Sequence, residues 1–264
     1  MHIEQKIRKL IFVLALAVFL LAAGKLIQIG WNYYTADKEY QKLQEYAKSE
    51  AKETGEGNLG LAAEAEEETE ATGGLTIDFA GLQRKNPDCI GWLEIPGPDI
   101  SYPIMQGADN DYYLTHTFFG EERTAASIFI DCANRTDFAD ENTFIYGHNM
   151  KNKSMFGRLN DYNEKSFYEK YPDIFVYTPA QTLHYKIFSC YPAEIAAQSD
   201  AFTLSFGTKE EYAAYQEQVK GYSLYDTGVD TDADHNMITL MTCNKRGYDY
   251  RFLVHAICIE EQGM

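Results

Sequence analysis

The chain has 264 residues, 45% of them hydrophobic and 14% aromatic, which suffices for one sizeable core in a single domain of about 190 residues and leaves no room for several enzymatic domains. A formal net charge of −17, from 40 acidic against 23 basic side chains, speaks against a nucleic-acid partner, because phosphate contacts need clustered Lys and Arg. Much of that acidity falls between Glu53 and Gly74.

The N-terminus carries Lys6, Arg8 and Lys9 ahead of an unbroken apolar stretch from Leu10 to Ala23. Continued past Gly24 and Lys25 to Trp31 it spans roughly 33 Å at about 1.5 Å per residue, enough to cross a bilayer. Lys25 can snorkel near the outer boundary, and Trp31, Tyr33 and Tyr34 form an interfacial belt. The basic residues put 1–9 in the cytoplasm and the body of the chain outside, as a single-pass protein of the cell membrane. A cleaved signal peptide is the alternative, with Leu21-Ala-Ala-Gly24 near a cut site; the apolar and aromatic residues beyond it favour a retained anchor over 10–31.

Within the next segment, 32–74, Asp37 to Lys52 is rich in Glu, Lys, Ala, Gln and Leu and predicts a short juxtamembrane helix. Glu53 to Gly74 holds almost no large apolar residue and reads as a flexible, charge-extended tether. The extracytoplasmic domain then covers 75–264. Thr76 to Arg84 suits a short amphipathic helix through Ile77, Phe79 and Leu82. Eight strands with turn punctuation follow, over 91–95, 101–105, 127–131, 143–146, 174–178, 182–191, 237–243 and 251–260. Their number and spacing predict a mainly β fold, a closed or nearly closed β-barrel. A helix over Lys209 to Lys220, capped by Thr208 with Glu211 three positions on, interrupts before the seventh strand.

The chemistry gathers at strand ends. Met237 to Cys243 is an apolar strand that stops on a thiol, and Arg251 opens the next apolar run. Upstream, Thr143-Phe-Ile-Tyr-Gly-His148-Asn-Met ends a strand on a histidine. A thiol with a reference pKa of roughly 8.5 needs a nearby imidazole or cation to gain thiolate character, and His148 could supply it and later act as general acid. Arg251 offers a fork of donors to a developing oxyanion. The reaction class is acyl transfer through a thioester, and it calls for no cofactor. His255 and Arg246 are the rival imidazole and guanidinium. His255 reads as a core-edge residue and Arg246 as a solvated turn charge. Five cysteines cannot all pair within one chain; Cys89, Cys132, Cys190 and Cys258 read as structural or inert. Asp230-Thr-Asp-Ala-Asp234 resembles the start of a calcium loop, but His235 and Met241 stand where Gly and Glu are needed, so no metal is expected.

Thr239-Leu-Met-Thr-Cys243, with Arg251 eight positions on and Tyr146-Gly-His148-Asn-Met upstream, resembles the sortases, and class B sortases above all. Asn86-Pro-Asp-Cys-Ile-Gly-Trp92, Asp109-Asn-Asp-Tyr-Tyr-Leu114 and Ser127-Ile-Phe-Ile-Asp131 carry the resemblance across most of 75–260. It implies a sortase barrel with a helix before the cysteine strand. It implies also a membrane-anchored transpeptidase that cuts an NPxTx-like motif near the C-terminus of exported proteins. The acyl group passes to an amine of the Gram-positive cell-wall peptidoglycan or its lipid-linked precursor. Catalysis would rest on Cys243, His148 and Arg251, and substrate binding on Asn110, Leu114, Tyr212 and Thr242. One departure stands out: class B members commonly have a small hydroxyl residue two positions before the cysteine, and here it is Met241, which makes the pocket more apolar. A secreted cysteine endopeptidase, a pilin-polymerising sortase and a non-catalytic tethered binding module are the alternatives.

Overall fold

The computed structural model describes residues 2–49, 74–244 and 247–263; the acidic tether up to residue 73 and Arg246 lie outside them. Helix α1 (His2–Leu43) has two different surfaces. From Leu10 to Ile29 its large apolar side chains are exposed all round, and among the described residues α1 contains the one helix long and apolar enough to cross a membrane. Past Trp31 the pattern narrows to a stripe. Tyr33, Ala36, Tyr40 and Leu43, spaced three, four and three, pack against the barrel core. Tyr40 donates its hydroxyl to Ala126 O and meets the Tyr102 ring edge-on, centroids 5.4 Å apart.

The expected juxtamembrane helix is thus the end of α1 as far as Leu43. The chain then makes a 3-10 turn, Gln44–Tyr46, and a strand, β1 (Ala47–Ser49). Pairing overrides the helix-forming composition there: β1 lies antiparallel to β2 (Leu75–Ile77), with Lys48 opposite Thr76. The same strand delays the helix expected from Thr76. Helix α2 (Phe79–Lys85) starts where Asp78 accepts the Gly81 N–H at 2.8 Å, buries Phe79 and Leu82, and stops before Asn86-Pro87.

Eight strands close the barrel: β3 (Cys89–Ile95), β4 (Ile100–Met105), β5 (Ile128–Ile130), β6 (Asn142–Tyr146), β7 (Asp173–Tyr177), β8 (Gln181–Glu194), β9 (Met237–Asn244) and β10 (Gly247–Gly263). Their order around it is β10-β8-β7-β3-β4-β5-β6-β9. These are the eight strands expected from sequence, with ends shifted by a few residues, and closure leaves no free edge among them. Two pairings, β4 with β5 and β6 with β9, are parallel. The long crossover between β6 and β9 carries α3 (Lys165–Lys170), β7, β8 and α4 (Lys209–Gly221). Thr208 caps α4 through the Glu211 N–H, as its sequence predicts.

Alternation sorts the side chains of β9 and β10 onto two buried faces. Ile238, Leu240, Phe252, Val254 and Ala256 point into the barrel, whereas Met237, Leu253 and Ile257 point out beneath Tyr212, Tyr215 and Val219 of α4. Cover on both faces explains why these strands read as continuous apolar runs. A polar chain crosses the outer layer. Thr239 Oγ1 donates to Asn142 Oδ1 at 2.8 Å and lies 2.9 Å from His255 Nδ1, and His255 Nε2 lies 3.1 Å from the Tyr191 hydroxyl. Since the Thr239 proton goes to Asn142, Nδ1 carries the ring hydrogen and Nε2 accepts from Tyr191. His255 is accordingly a satisfied core histidine.

Burial lowers the His255 pKa from 6.5 to about 3, so the folded protein holds the ring neutral. The unfolded chain takes up its proton near 6.5. Stability from this group is complete above that pH and drains away as the pH falls toward 3. Between pH 7 and pH 5 the loss is expected to be about 2 kcal/mol. Urea midpoints of the wild type should drop over that interval, and those of His255→Gln should drop less; equal drops would remove His255 as the source.

Candidate active site

Helix α4 does not cover the whole outer face of β9. Along the outward-pointing positions Met237 and Thr239 are buried, Met241 is half-buried and Cys243 is exposed. A cleft opens where that cover ends. Arg251 is the cross-strand partner of Cys243 in the β9–β10 pair, which sets their Cα atoms about 4.5–5.5 Å apart. On the other side of β9 the parallel neighbour β6 ends at Tyr146, opposite Met241. Gly147 extends the pairing, donating its N–H to Met241 O at 3.1 Å and accepting the Thr242 hydroxyl on its own O at 2.7 Å. A Cβ at Gly147 would collide with Ile128 Cδ1 and the Phe156 ring, so the strand can close in here only with glycine. His148 follows directly and enters the same cleft.

The cleft has a volume of about 290 Å³. Phe129, Tyr146 and Met241 form its floor, Cys243 and Arg251 one end, and His148 with the segment Asn110–Leu114 the rim. His148 Nε2 lies 2.7 Å from Leu114 O, and a carbonyl only accepts, so Nε2 bears the hydrogen and Nδ1 carries the lone pair of the neutral ring. The rim is tied down from below. Asn110 accepts the Cys132 N–H on Oδ1 and donates Nδ2 to the buried Asp131 carboxylate, both at 2.8 Å. Tyr146 donates to the same carboxylate at 2.6 Å, and burial together with that contact pushes its phenol pKa up. Asp109 caps the rim by accepting the N–H groups of Asp111 and Tyr112, which hold its carboxyl below the usual range.

Asn110, Leu114, His148, Thr242, Cys243 and Arg251, all singled out in the sequence, therefore line one cleft. Thr242 does so with its side chain turned inward and its hydroxyl engaged by Gly147 O. Tyr212 is the exception. It is 2% exposed in the layer between α4 and the barrel and donates to His235 O at 2.9 Å, because α4 turns its apolar face toward the covered part of β9. Phe129, Tyr146 and Asp111 line the cleft without having been singled out; the register of Phe129 against Tyr146, and of Tyr146 against Met241, is what gathers them. A larger open depression of about 620 Å³ between Arg158 and Tyr171 carries neither cysteine nor histidine. Among the described residues no group of three or more His, Cys, Asp or Glu is placed to hold a metal ion.

The arrangement offers a solvent-reachable thiol, an imidazole with a free lone pair and a guanidinium, a set suited to attack on a carbonyl and to stabilising the oxyanion that results. The other cysteines differ among themselves. Burial raises the thiol pKa of Cys89 and Cys190 to about 12 and of Cys258 to about 11. Cys132 is exposed, because it follows β5 in the turn that receives Asn110.

The sequence model of the Sortase domain matches residues 93–258. Sortase B of Listeria monocytogenes is 32% identical over 244 residues, 92% of each chain. Among solved structures, sortase B from B. anthracis in complex with AAEK1 superposes with a TM-score of 0.72 at 28% identity, over 88% of this chain and 100% of that one. The Staphylococcus aureus sortase B–substrate complex gives a TM-score of 0.64 at 29% identity, over 69% and 84%.

Burial and thiol pKa together predict which cysteines react. Brief iodoacetamide treatment of the native protein at pH 7.5 should modify Cys243 and Cys132 and spare Cys89, Cys190 and Cys258 until denaturant is added, as read by peptide mass spectrometry. Modification of the buried three at the rate of Cys243 would contradict the packing described.

Proposed function

The chain belongs to the sortase family as a class B cysteine transpeptidase, and from that premise we propose that it cuts an NPxTx-like sorting motif near the C-terminus of exported proteins and passes the acyl group to an amine of the cell-wall peptidoglycan or its lipid-linked precursor. One observation carries the proposal. The thiol and the guanidinium from one hairpin and the imidazole from a strand end about 95 residues upstream line a single cleft.

Cys243, in this reading, gives its proton to His148 Nδ1 and attacks the carbonyl of the motif threonine. The charge that develops on the carbonyl oxygen is met by Arg251 from the facing strand position. His148 then donates to the departing amide nitrogen, the C–N bond breaks, and a Cys243 thioester remains. An amine attacks the thioester, His148 takes its proton and passes it to the departing sulfur, and the thiol is released with the new amide. Leu114 O accepts from Nε2 in both protonation states, so the ring need not turn between steps. The apolar segment of α1 supports anchoring, with Lys6, Arg8 and Lys9 on the cytoplasmic side and the domain over 75–264 outside. Asn110 and Leu114 would contact the peptide from the rim.

The full chain in detergent, incubated with NPxTx and LPxTx peptides and an amine donor, should show a mass gain on Cys243 and a ligated product. Cys243→Ala should abolish both, and Arg251→Ala should cost on the order of 10²–10³ in kcat. A product that is only hydrolysed peptide at saturating amine would favour a plain endopeptidase, and no acyl gain on Cys243 would end the proposal. Met241→Ser, by replacing floor hydrocarbon with a hydroxyl, should lower kcat/KM for peptides with an apolar residue at the variable position by roughly 10-fold. Unchanged relative preferences would remove Met241 from specificity.

A further inference from the structure

Strand β6 runs parallel to β9 only as far as Tyr146 opposite Met241. In a parallel ladder donors recur every second residue. After the Gly147 N–H on Met241 O, the next rung would join the Asn149 N–H to Cys243 O. The backbone has turned away by then, and Asn149 instead forms an isolated antiparallel bridge with Met155. Its side chain makes the rung: Asn149 Nδ2 donates to Cys243 O at 2.8 Å. Asn160, 5% exposed, approaches the same oxygen from behind at 3.5 Å, and its own carbonyl is held by Asn163 Nδ2 at 2.6 Å. Beyond Cys243 the pairing of β9 with β10 is also irregular, with a register shift between Gly247 and Arg251. The nucleophile thus sits on the last residue before the ladder loosens on both sides.

We propose that Asn149 is a positioning residue: by bonding the carbonyl of Cys243 from the position next to His148, it fixes the spacing of sulfur and imidazole. The inference rests on the Cys243–His148 roles proposed above. A dipeptide, His148-Asn149, carries both the proton-transferring ring and the tether of its partner. Neither strand end can shift without moving the other.

The test uses the full chain in detergent with three variants, Asn149→Ala, Asn149→Asp and His148→Ala. Asn149→Asp keeps the shape and removes the donor. The first readout is the pH profile of Cys243 alkylation by iodoacetamide, followed on the Cys243 peptide so that Cys132 does not contribute. Both Asn149 variants should move from the wild-type profile toward that of His148→Ala, while thermal midpoints stay within a few degrees. The second readout is peptide transpeptidation, where kcat should fall on the order of 10- to 100-fold with KM within about twofold, the signature of a displaced catalytic group. Asn149 variants that keep the wild-type alkylation profile, whatever their activity, would overturn the positioning role. If wild type and His148→Ala share one profile from the outset, the failure lies with the proposed role of His148, and the inference falls with it.

Discussion

Parallel pairing of β6 with β9 is the constraint on which the site depends. Two strands that run the same way emerge at the same rim of the barrel, so the residues that follow Tyr146 and the residues that end β9 are delivered side by side. β10 leaves that rim in the opposite direction, and its early residue Arg251 lies across from Cys243. Had β6 met β9 antiparallel, His148 would sit at the far rim, separated from Cys243 by the strand's length of roughly 17 Å. The long crossover that such a pairing requires is where the chain stores α3, α4 and two further strands of the barrel.

The same outward face of β9 is packed under α4 at one end and lines the cleft at the other. Under α4 it is filled by Met237 and by Thr239, whose hydroxyl serves both Asn142 and His255. Past the end of that cover, one alternation step leaves Met241 half-buried and the next leaves Cys243 in solvent. The first threonine of the Thr239-Leu-Met-Thr-Cys243 run thus belongs to a buried hydrogen-bond chain, and the second locks the strand to Gly147 O. Both support the strand that carries the thiol through bonds within the protein. Mutating Thr239 to an apolar isostere would strand Asn142 Oδ1 and the His255 ring hydrogen, an unfavourable change of about 1–3 kcal/mol for each unmet group.

Much of this was legible in the sequence, and what was not has a physical cause. Cys243 closes the apolar run of β9, His148 follows the end of β6 after Gly147, Arg251 opens an apolar run that the structure extends back to Gly247 as β10, and the eight barrel strands announce themselves by apolar runs between turns. The length of α1 was misjudged because a helix apolar all round and a docked amphipathic helix have different patterns, and their join at Trp31 to Tyr33 leaves no breaker between them. The β1–β2 ribbon joins segments on either side of the acidic tether, a pairing no window of sequence contains. Tyr212 lies on a helix whose period is plain but whose docking direction is not; only the position of α4 over Met237 and Leu253 shows which face is inside. Asn149 stands inside the Tyr146-Gly-His148-Asn-Met run but received no role there, because nothing local shows what its side chain bonds. Its partner is 94 residues away.

The loop that carries His148 away from β6 is conformationally expensive, and its bonds explain how it persists. Lys153 and Met155 both adopt left-handed backbone angles, with φ of 68° and 53°, which cost non-glycine residues about 1–2 kcal/mol each. Lys153 N–H donates to Met150 O at 3.0 Å, and Phe156 N–H returns to His148 O at 3.0 Å, closing the loop on the histidine itself. Met155 N–H donates to the Tyr102 hydroxyl at 3.0 Å, and the Tyr102 ring is the one against which Tyr40 of α1 packs. Met155 is therefore held by a bond to the barrel strand β4, and Lys153 by a bond within the loop. A sequence that only had to turn at this point would have used glycines; two long side chains in left-handed positions are tolerated because a fixed loop, and with it a fixed imidazole, offsets their cost.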